Sequence, residues 1–218
     1  MEVIKEIYVL GIGLNTPVFI DLAIACGYTV SGLYHYNEER TGGYDHGYKI
    51  LGSFKDLFEK ENLSEMNFLL TMGDNKIRRN LLDKIVSLGG KVPSLIHPFA
   101  IISQFANISE DGVYISPFTY VQADSIIAKN TILLSHVNIS HTVKIGENCF
   151  VAGGAIIGAG TVVENNVFIG QGALTISKKV KLIGNNSYIG ARSLITKDVP
   201  ANAIMKGIPA RIILKNDE

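Results

Sequence analysis

From Ile115 to Ile169 an aliphatic residue stands at every sixth position, ten times in succession: Ile115, Val121, Ile127, Leu133, Ile139, Ile145, Val151, Ile157, Val163 and Ile169. Four places after each comes a small or β-branched residue, from Thr119 and Ser125 through Cys149 to Ala173. A period of six matches neither a helix (about 3.6) nor an alternating strand (about 2). It is the period of a parallel β-helix in which three hexapeptides close one triangular coil. Each first-position residue then points inward and stacks on the residue one coil on. Burying each contributes roughly 1.5–3 kcal/mol, most of it offset by chain entropy. No single coil is stable alone, so the stack forms as a unit.

The pattern extends in both directions. Hexapeptides beginning at Ile96, Ile102 and Ile108 precede the unbroken block, with one extra residue near Tyr114. Others begin at Ile176, Ile183, Ile189 and Ile195, with one-residue insertions expected around Thr175 and Leu182. The reading predicts seventeen hexapeptides, or nearly six coils, with insertions bulging from one edge. A β-sandwich would instead show period-2 strands at irregular spacing.

Residues before Pro93 have a different texture. EIYVLGIG (6–13) reads as a strand entering a glycine turn, and PVFIDLAIACG (17–27) as a helix with Pro17 in its first turn and Gly27 as its stop. YTVSGLYH is a second strand, 53–62 a short helix opened by Ser53, and NFLLTMG (67–73) a third strand. DNKIRRNLLDKIVSLGG (74–90) is a helix opened by Asp74. Alternation of this kind gives a small α/β, Rossmann-like βαβ sheet. The domains are therefore 1–92, a βαβ domain, and 93–218, a left-handed parallel β-helix.

Ligands of such sheets bind at the carboxyl ends of the strands, here Gly11–Asn15, Tyr34–Tyr36 and Gly73–Asn75. The expected substrate contacts are Gly13, Leu14, Asn15, His35, Tyr36 and Gly73. Gly11 and Gly13 form only part of a dinucleotide fingerprint. The third glycine position is Thr16, and His35-Tyr36 replaces the acid expected for NAD. A diphosphate at the start of the following helix fits the turn, as does a tight turn with no ligand.

The 218 residues carry 20 basic and 20 acidic side chains, which gives no field to hold nucleic acid. Cys26 and Cys149 read as reduced core residues, so a cytoplasmic location is expected. Residues 1–10 show no signal peptide, and no apolar run is long enough for membrane insertion.

Of five histidines, His46 lies in a Gly-rich polar loop, TGGYDHGYK, and His97 precedes Pro98 at the domain junction. His136 and His141 fall on corner positions on either side of one strand, so neither points into the core. An exposed imidazole there can accept a proton. The H-x4-H spacing also raises zinc, as in the γ-class carbonic anhydrases. That site needs a third histidine two coils earlier, and counting back from His136 reaches Phe99–Ala100. No metal is expected.

The segment IGARSLITKDVPANAIMKGIPAR (189–211) resembles the closing signature of hexapeptide acetyltransferases. The order VLGIG, MGDNKIRR, LIHPFAIIS, ISHTVKIGEN resembles the bacterial sugar O-/N-acyltransferases typified by NeuD and PglD. The resemblance implies a homotrimer that binds acetyl-CoA along the coils between subunits. It further implies transfer of acetyl to the amine of a nucleotide-linked sugar (UDP-, GDP- or dTDP-) for surface-glycan synthesis. Sugar or sialic-acid O-acetylation is the alternative. The family's catalytic base falls on His141, and His136 is a second catalytic candidate. Relatives often place an acid directly after the base, a second histidine nine residues on and an asparagine seven residues before. Here these are Thr142, Phe150 and Leu134, and Glu147 is a candidate substitute for the acid. For the cofactor, hexapeptide third positions give one line of Gly153, Gln171 and Ala191 and another of His141 and Ala159. Phe150 adjoins the thioester by resemblance. Lys206 and Arg211 either meet the CoA phosphates or merely solvate the last coil.

Overall fold

The computed structural model describes residues 5–215, and the chain divides into two compact units between Leu95 and Ile96.

The first unit is a five-stranded sheet with strands β1 (Lys5–Leu10), β2 (Tyr28–His35), β3 (Tyr44–Asp45), β4 (Tyr48–Ser53) and β5 (Phe68–Leu70). Their order is β3-β4-β2-β1-β5, all parallel except the edge pair β3–β4. Ile7, Val9 and Leu10 of β1 and all of β5 are buried, as expected for strands covered on both faces. Helix α1 (Thr16–Ala25) carries Pro17 in its first turn and stops before Gly27, whose φ is +81°. Helix α2 (Phe54–Phe58) starts with a capping box between Ser53 and Asp56. In α3 (Asn75–Ser87) the Asp74 carboxylate accepts from the Ile77 N–H.

One expectation fails here. Helix α2 ends at Phe58 rather than 62. The polar loop around His46 is the turn of the β3–β4 hairpin. His46 (φ +45°) and Gly47 (φ +82°) both take the left-handed conformation of a primed two-residue turn. His46 is exposed, with its Nδ1 2.5 Å from Asp45 Oδ1.

The second unit is the β-helix. Seventeen two-residue strands form three parallel faces. The first face runs from Leu95–Ile96 to Tyr188–Ile189, the second from Ile101–Ile102 to Leu194–Ile195, the third from Asn107–Ile108 to Leu182–Ile183. All ten residues of the unbroken block are at most 1 % exposed, and so are the ten small residues that follow them. The first coil has one neighbour in the stack, and its first positions are less covered: Ile96 is exposed, and Ile102 and Ile108 are only partly buried.

The phase after Ile169 differs from the expectation. The repeat continues to Thr175, which is buried and faces inward, while Ile176 does not. A threonine is tolerated there because the Gly158 N–H donates to its hydroxyl at 2.7 Å. Both inserted residues therefore lie in one corner between Thr175 and Leu182, and pairing spacing changes there from 18 to 20, as in Ile156↔Leu174 and Leu174↔Leu194.

The three corners differ chemically. The corner between the third and first faces carries Asn130, Asn148, Asn166, Asn186 and Asn202, all with φ between +56° and +61°. Each donates its amide to the next at 2.8–3.1 Å, a ladder parallel to the axis. Asparagine accepts the left-handed backbone more readily than other non-glycine residues. The chain closes with an antiparallel hairpin, Ala203–Gly207 with Ala210–Lys215, added to the first face.

Candidate active site

In the first unit a cavity of about 640 Å³ opens at the carboxyl ends of β1 and β5. Of the candidate substrate contacts, Gly13, Leu14, Asn15, Tyr36 and Gly73 stand at its wall. Gly11 must be glycine. Its φ is +97°, and a Cβ would meet Met72 and Thr71 at 3.0 Å. Two hydroxyls fix the turn. Thr16 Oγ1 accepts from the Gly13 N–H at 2.9 Å, and Thr71 donates to the Gly11 carbonyl at 3.0 Å. Across the cavity, the Arg78 guanidinium donates to the Met72 carbonyl and the Asn75 side chain and holds that loop.

His35 departs from the expectation. It is 4 % exposed and is not among the wall residues. Its Nδ1 accepts from the Asn37 N–H at 3.1 Å, and its ring packs on Tyr36 at 4.2 Å. Burial, reinforced by the Arg40 charge, holds its pKa below the ordinary value. Leu33, Tyr34 and His35 are buried in succession, as on a strand covered on both faces, and Tyr36, just past the end of β2, is 76 % exposed at the wall.

Phe54, Met72, Ile77, Asn80 and Leu81 complete the wall, and the sequence reading had none of them. Ile77, Asn80 and Leu81 have the i, i+3, i+4 spacing of one helix face. That pattern was visible, but it reads equally as packing against the sheet.

In the second unit His136 and His141 flank the strand Asn138–Ile139, both exposed, on successive corners. His141 is anchored at its backbone, where its N–H donates to Gln122 Oε1 at 3.2 Å. Gln122 in turn donates to Asn138 Oδ1 at 3.1 Å. Thr142 fixes the ring. Its hydroxyl donates to the His141 carbonyl at 2.6 Å and lies 3.3 Å from Nδ1. The hydroxyl proton is already committed to the carbonyl, so this oxygen faces Nδ1 as an acceptor. It can accept from an Nδ1–H, the tautomer in which Nε2 presents a lone pair. Thr142 holds this place with φ +60°, an outlier for a β-branched residue. Glu147 does not substitute for the missing acid, because it occupies the asparagine corner and pairs with Lys129 at 3.7 Å.

His136 ends a ladder of rings along its own corner. Its ring centroid is 5.1 Å from Phe118, which stacks on Phe99 at 6.2 Å, and Phe99 lies 5.4 Å from His97. No group of three or more His, Cys, Asp or Glu that could hold a metal occurs among the described residues.

The cofactor candidates fall in three places. Gly153, Gln171 and Ala191 follow one another along the His136 corner, and Ala159 sits one coil from His141 on its corner. Lys206 and Arg211 are register partners across the closing hairpin. Phe150 lies on a flat face rather than a corner, 6 % exposed and stacked on Phe168 at 5.4 Å. Cys149 is buried, and its thiol donates to the Glu164 carbonyl.

A parallel-sheet domain followed by a left-handed hexapeptide β-helix, with one histidine poised at a corner, defines a class of two-domain hexapeptide-repeat proteins. Within that class the chain is similar to the NeuD/PglD-like proteins. Residues 6–85 match the PglD N-terminal domain. The GDP-perosamine N-acetyltransferase of Escherichia coli O157:H7 is 27 % identical over 172 residues, covering 76 % of this chain and 75 % of that protein. The bifunctional protein GlmU of Caldicellulosiruptor saccharolyticus is 40 % identical over 105 residues, 45 % of this chain but only 22 % of its own length. PerB from Caulobacter crescentus, solved with CoA and GDP-perosamine, superposes with a TM-score of 0.86 at 25 % identity, covering 96 % of this chain and 98 % of that one. The acetyltransferase domain of PglB from Neisseria gonorrhoeae superposes at 0.85 and 26 % identity, covering 96 % and 100 %.

Proposed function

We propose that this protein is an acetyl-CoA-dependent N-acetyltransferase acting on the amine of a nucleotide-linked sugar, with His141 as general base. The observation that carries the reading is the pairing of Thr142 with His141, which leaves Nε2 free to take a proton at an exposed corner. The sugar amine attacks the acetyl carbonyl, and Nε2 removes the proton that the nitrogen sheds. The C–S bond breaks, and the imidazolium returns that proton to the CoA sulfur. The two relatives described as N-acetyltransferase or acetyltransferase domain, and PerB with CoA and GDP-perosamine bound, support the same chemistry.

The first unit supplies the nucleotide site in this reading. The cavity wall has no charged side chain, so a diphosphate would be met by the backbone N–H groups of Leu14 and Asn15. The working form is a homotrimer. Ile101, Tyr120, Ile156 and Leu174 point outward from the second face and are 37–64 % exposed. That face lies between the His136 and His141 corners, so a neighbouring copy packed there would shelter acetyl-CoA against both lines of small residues. A cytoplasmic role in surface-glycan synthesis fits, and no described helix is long and apolar enough to cross a membrane.

The test is thiol release from acetyl-CoA with a panel of UDP-, GDP- and dTDP-amino sugars. One or more should be turned over, and His141→Ala should lower kcat by roughly 100-fold or more with little change in KM for acetyl-CoA. An unchanged kcat would remove His141 as the base.

A further inference from the structure

The corner that holds both inserted residues lies on the same edge as His141. Along that edge Ala159 follows His141, Ser177 follows Ala159 and Lys197 comes one coil later, as the hydrogen bonds between coils show. The insertion is braced on both sides. The Ala159 N–H donates to Ser177 Oγ at 3.1 Å, and the Lys181 and Leu182 N–H groups donate to Asp198 Oδ1 at 2.6 and 3.1 Å. It is therefore a fixed protrusion that displays Lys178 and Lys179 beside Lys197, all three exposed. None of the three forms an ion pair among the described residues; Asp198, the carboxylate at this corner, is spent on backbone N–H groups. Lys178 sits at φ +61°, in line with Thr142 and Gly160.

Distance gives this cluster a meaning. Paired strands are about 4.8 Å apart, so the inserted corner is about 10 Å and Lys197 about 14 Å along the edge from His141. The arm of coenzyme A from sulfur to first phosphorus has about thirteen bonds and spans about 15 Å extended at ordinary bond lengths. Between them Ala159 is small, and a Cβ on Gly160 would meet nothing within 4 Å, so an extended arm can lie against the backbone.

We infer that the inserted corner is a recognition site for the phosphate groups of coenzyme A, with Lys178, Lys179 and Lys197 as its charged contacts. The inference rests on the acetyl-CoA reading of His141 and adds what selects that donor. Phosphates distinguish coenzyme A from pantetheine, which has the same thiol arm. Lys206 and Arg211 belong instead to the hairpin on the first face, off this edge.

The experiment is calorimetric titration of the full chain with coenzyme A, dephospho-coenzyme A and pantetheine. A variant carrying Lys178→Gln, Lys179→Gln and Lys197→Gln is titrated in parallel, with the matching lysine-to-arginine triple as a control for folding. The glutamine triple should bind coenzyme A roughly tenfold or more weakly, leave pantetheine unchanged and flatten the salt dependence, while the arginine triple should retain wild-type affinity. Unchanged affinity for coenzyme A in the glutamine triple would overturn the inference, as would an equal loss for pantetheine. Wild-type protein that binds neither coenzyme A nor pantetheine would overturn the acetyl-CoA reading itself, and this site with it.

Discussion

The hydroxyl of Thr142 gives its proton to the His141 carbonyl at 2.6 Å and presents its oxygen to His141 Nδ1 at 3.3 Å. This arrangement suits the tautomer with its proton on Nδ1, in which Nε2 can act as the proposed base. Thr142 makes it from a strained backbone, φ +60° on a β-branched residue, a conformation that costs on the order of 1–3 kcal/mol. The same turn is left-handed at Asp124, Gly160 and Lys178, so the coil sets the backbone and the hydroxyl is what Thr142 adds.

Thr142→Val keeps shape and strain but removes the acceptor. It should lower kcat about tenfold, leave KM for acetyl-CoA nearly unchanged and barely move the unfolding midpoint. Thr142→Gly should lose rate similarly while raising stability by up to about 1 kcal/mol. Steady-state kinetics paired with urea unfolding separates the two effects. A Thr142→Val enzyme with full kcat would show that the hydroxyl does not orient the ring.

The β-helix was legible because a fixed six-residue period ties each side chain to one direction, and Ile115 to Ile169 never break it. The insertion after Ile169 was misplaced because an apolar residue was sought at each inward position. Thr175 fills one with a hydroxyl satisfied by Gly158, while Ile176 beside it looked the better candidate. The cavity's glycine turn was readable from strand ends alone, since the chain reverses at Gly11 and Gly73. Asn80 and Phe54 were not, because their place depends on how α3 and α2 pack. His35 is buried together with Leu33 and Tyr34 because this end of β2 is covered on both faces, and nothing in eight residues says where that cover stops. The asparagine ladder was visible at 18-residue spacing and passed unread, for an asparagine reads equally as an ordinary turn residue.

That ladder has an energetic consequence. Asn148 donates to Asn166 and accepts from Asn130, and it is 2 % exposed. Asn148→Ala strips partners from both neighbours and puts alanine at φ +57°. The loss of hydrogen bonding costs about 1–3 kcal/mol and the backbone about 1–2 kcal/mol more. Asn148→Gly should recover the backbone share only. Urea midpoints of the two variants measure each part, and an Asn148→Ala midpoint equal to wild type would dismiss the ladder as a stabilising element.

His35 should make the first unit sensitive to mild acid. Burial and the Arg40 charge lower its pKa in the folded state below the ordinary 6.5. The unfolded chain then binds more protons between those two values, so folding stability rises with pH across that window. The contribution is complete above 6.5 and is lost as pH falls below it, because protonation of Nδ1 forfeits the Asn37 N–H bond. Hydrogen exchange of the β2 and β4 amides, corrected for intrinsic rates, should show more frequent opening at pH 5.5 than at pH 7.5 (about one unit either side of neutral-His titration). His35→Gln should abolish the difference, and a difference that persists in that variant belongs to another group.

In the proposed trimer the exposed aliphatics of the second face meet the neighbouring copy. Ile156 is 40 % exposed, between Asn138 and Leu174 in its column, and its side chain makes no part of the inward core. Ile156→Asp therefore leaves the coil intact but places a carboxylate on the surface proposed to meet a neighbouring copy. Burying that charge unpaired is strongly unfavourable. Light scattering should give three chains per particle for the wild type and one for the variant, with circular dichroism unchanged. Affinity for coenzyme A should fall with the trimer, because the second line of small residues comes from the neighbour. Affinity for the nucleotide should persist, since the Gly11–Asn15 cavity lies wholly within one chain's first unit. A variant that remains trimeric would place the subunit interface on another face, and a wild-type monomer would leave the cofactor arm without its second wall.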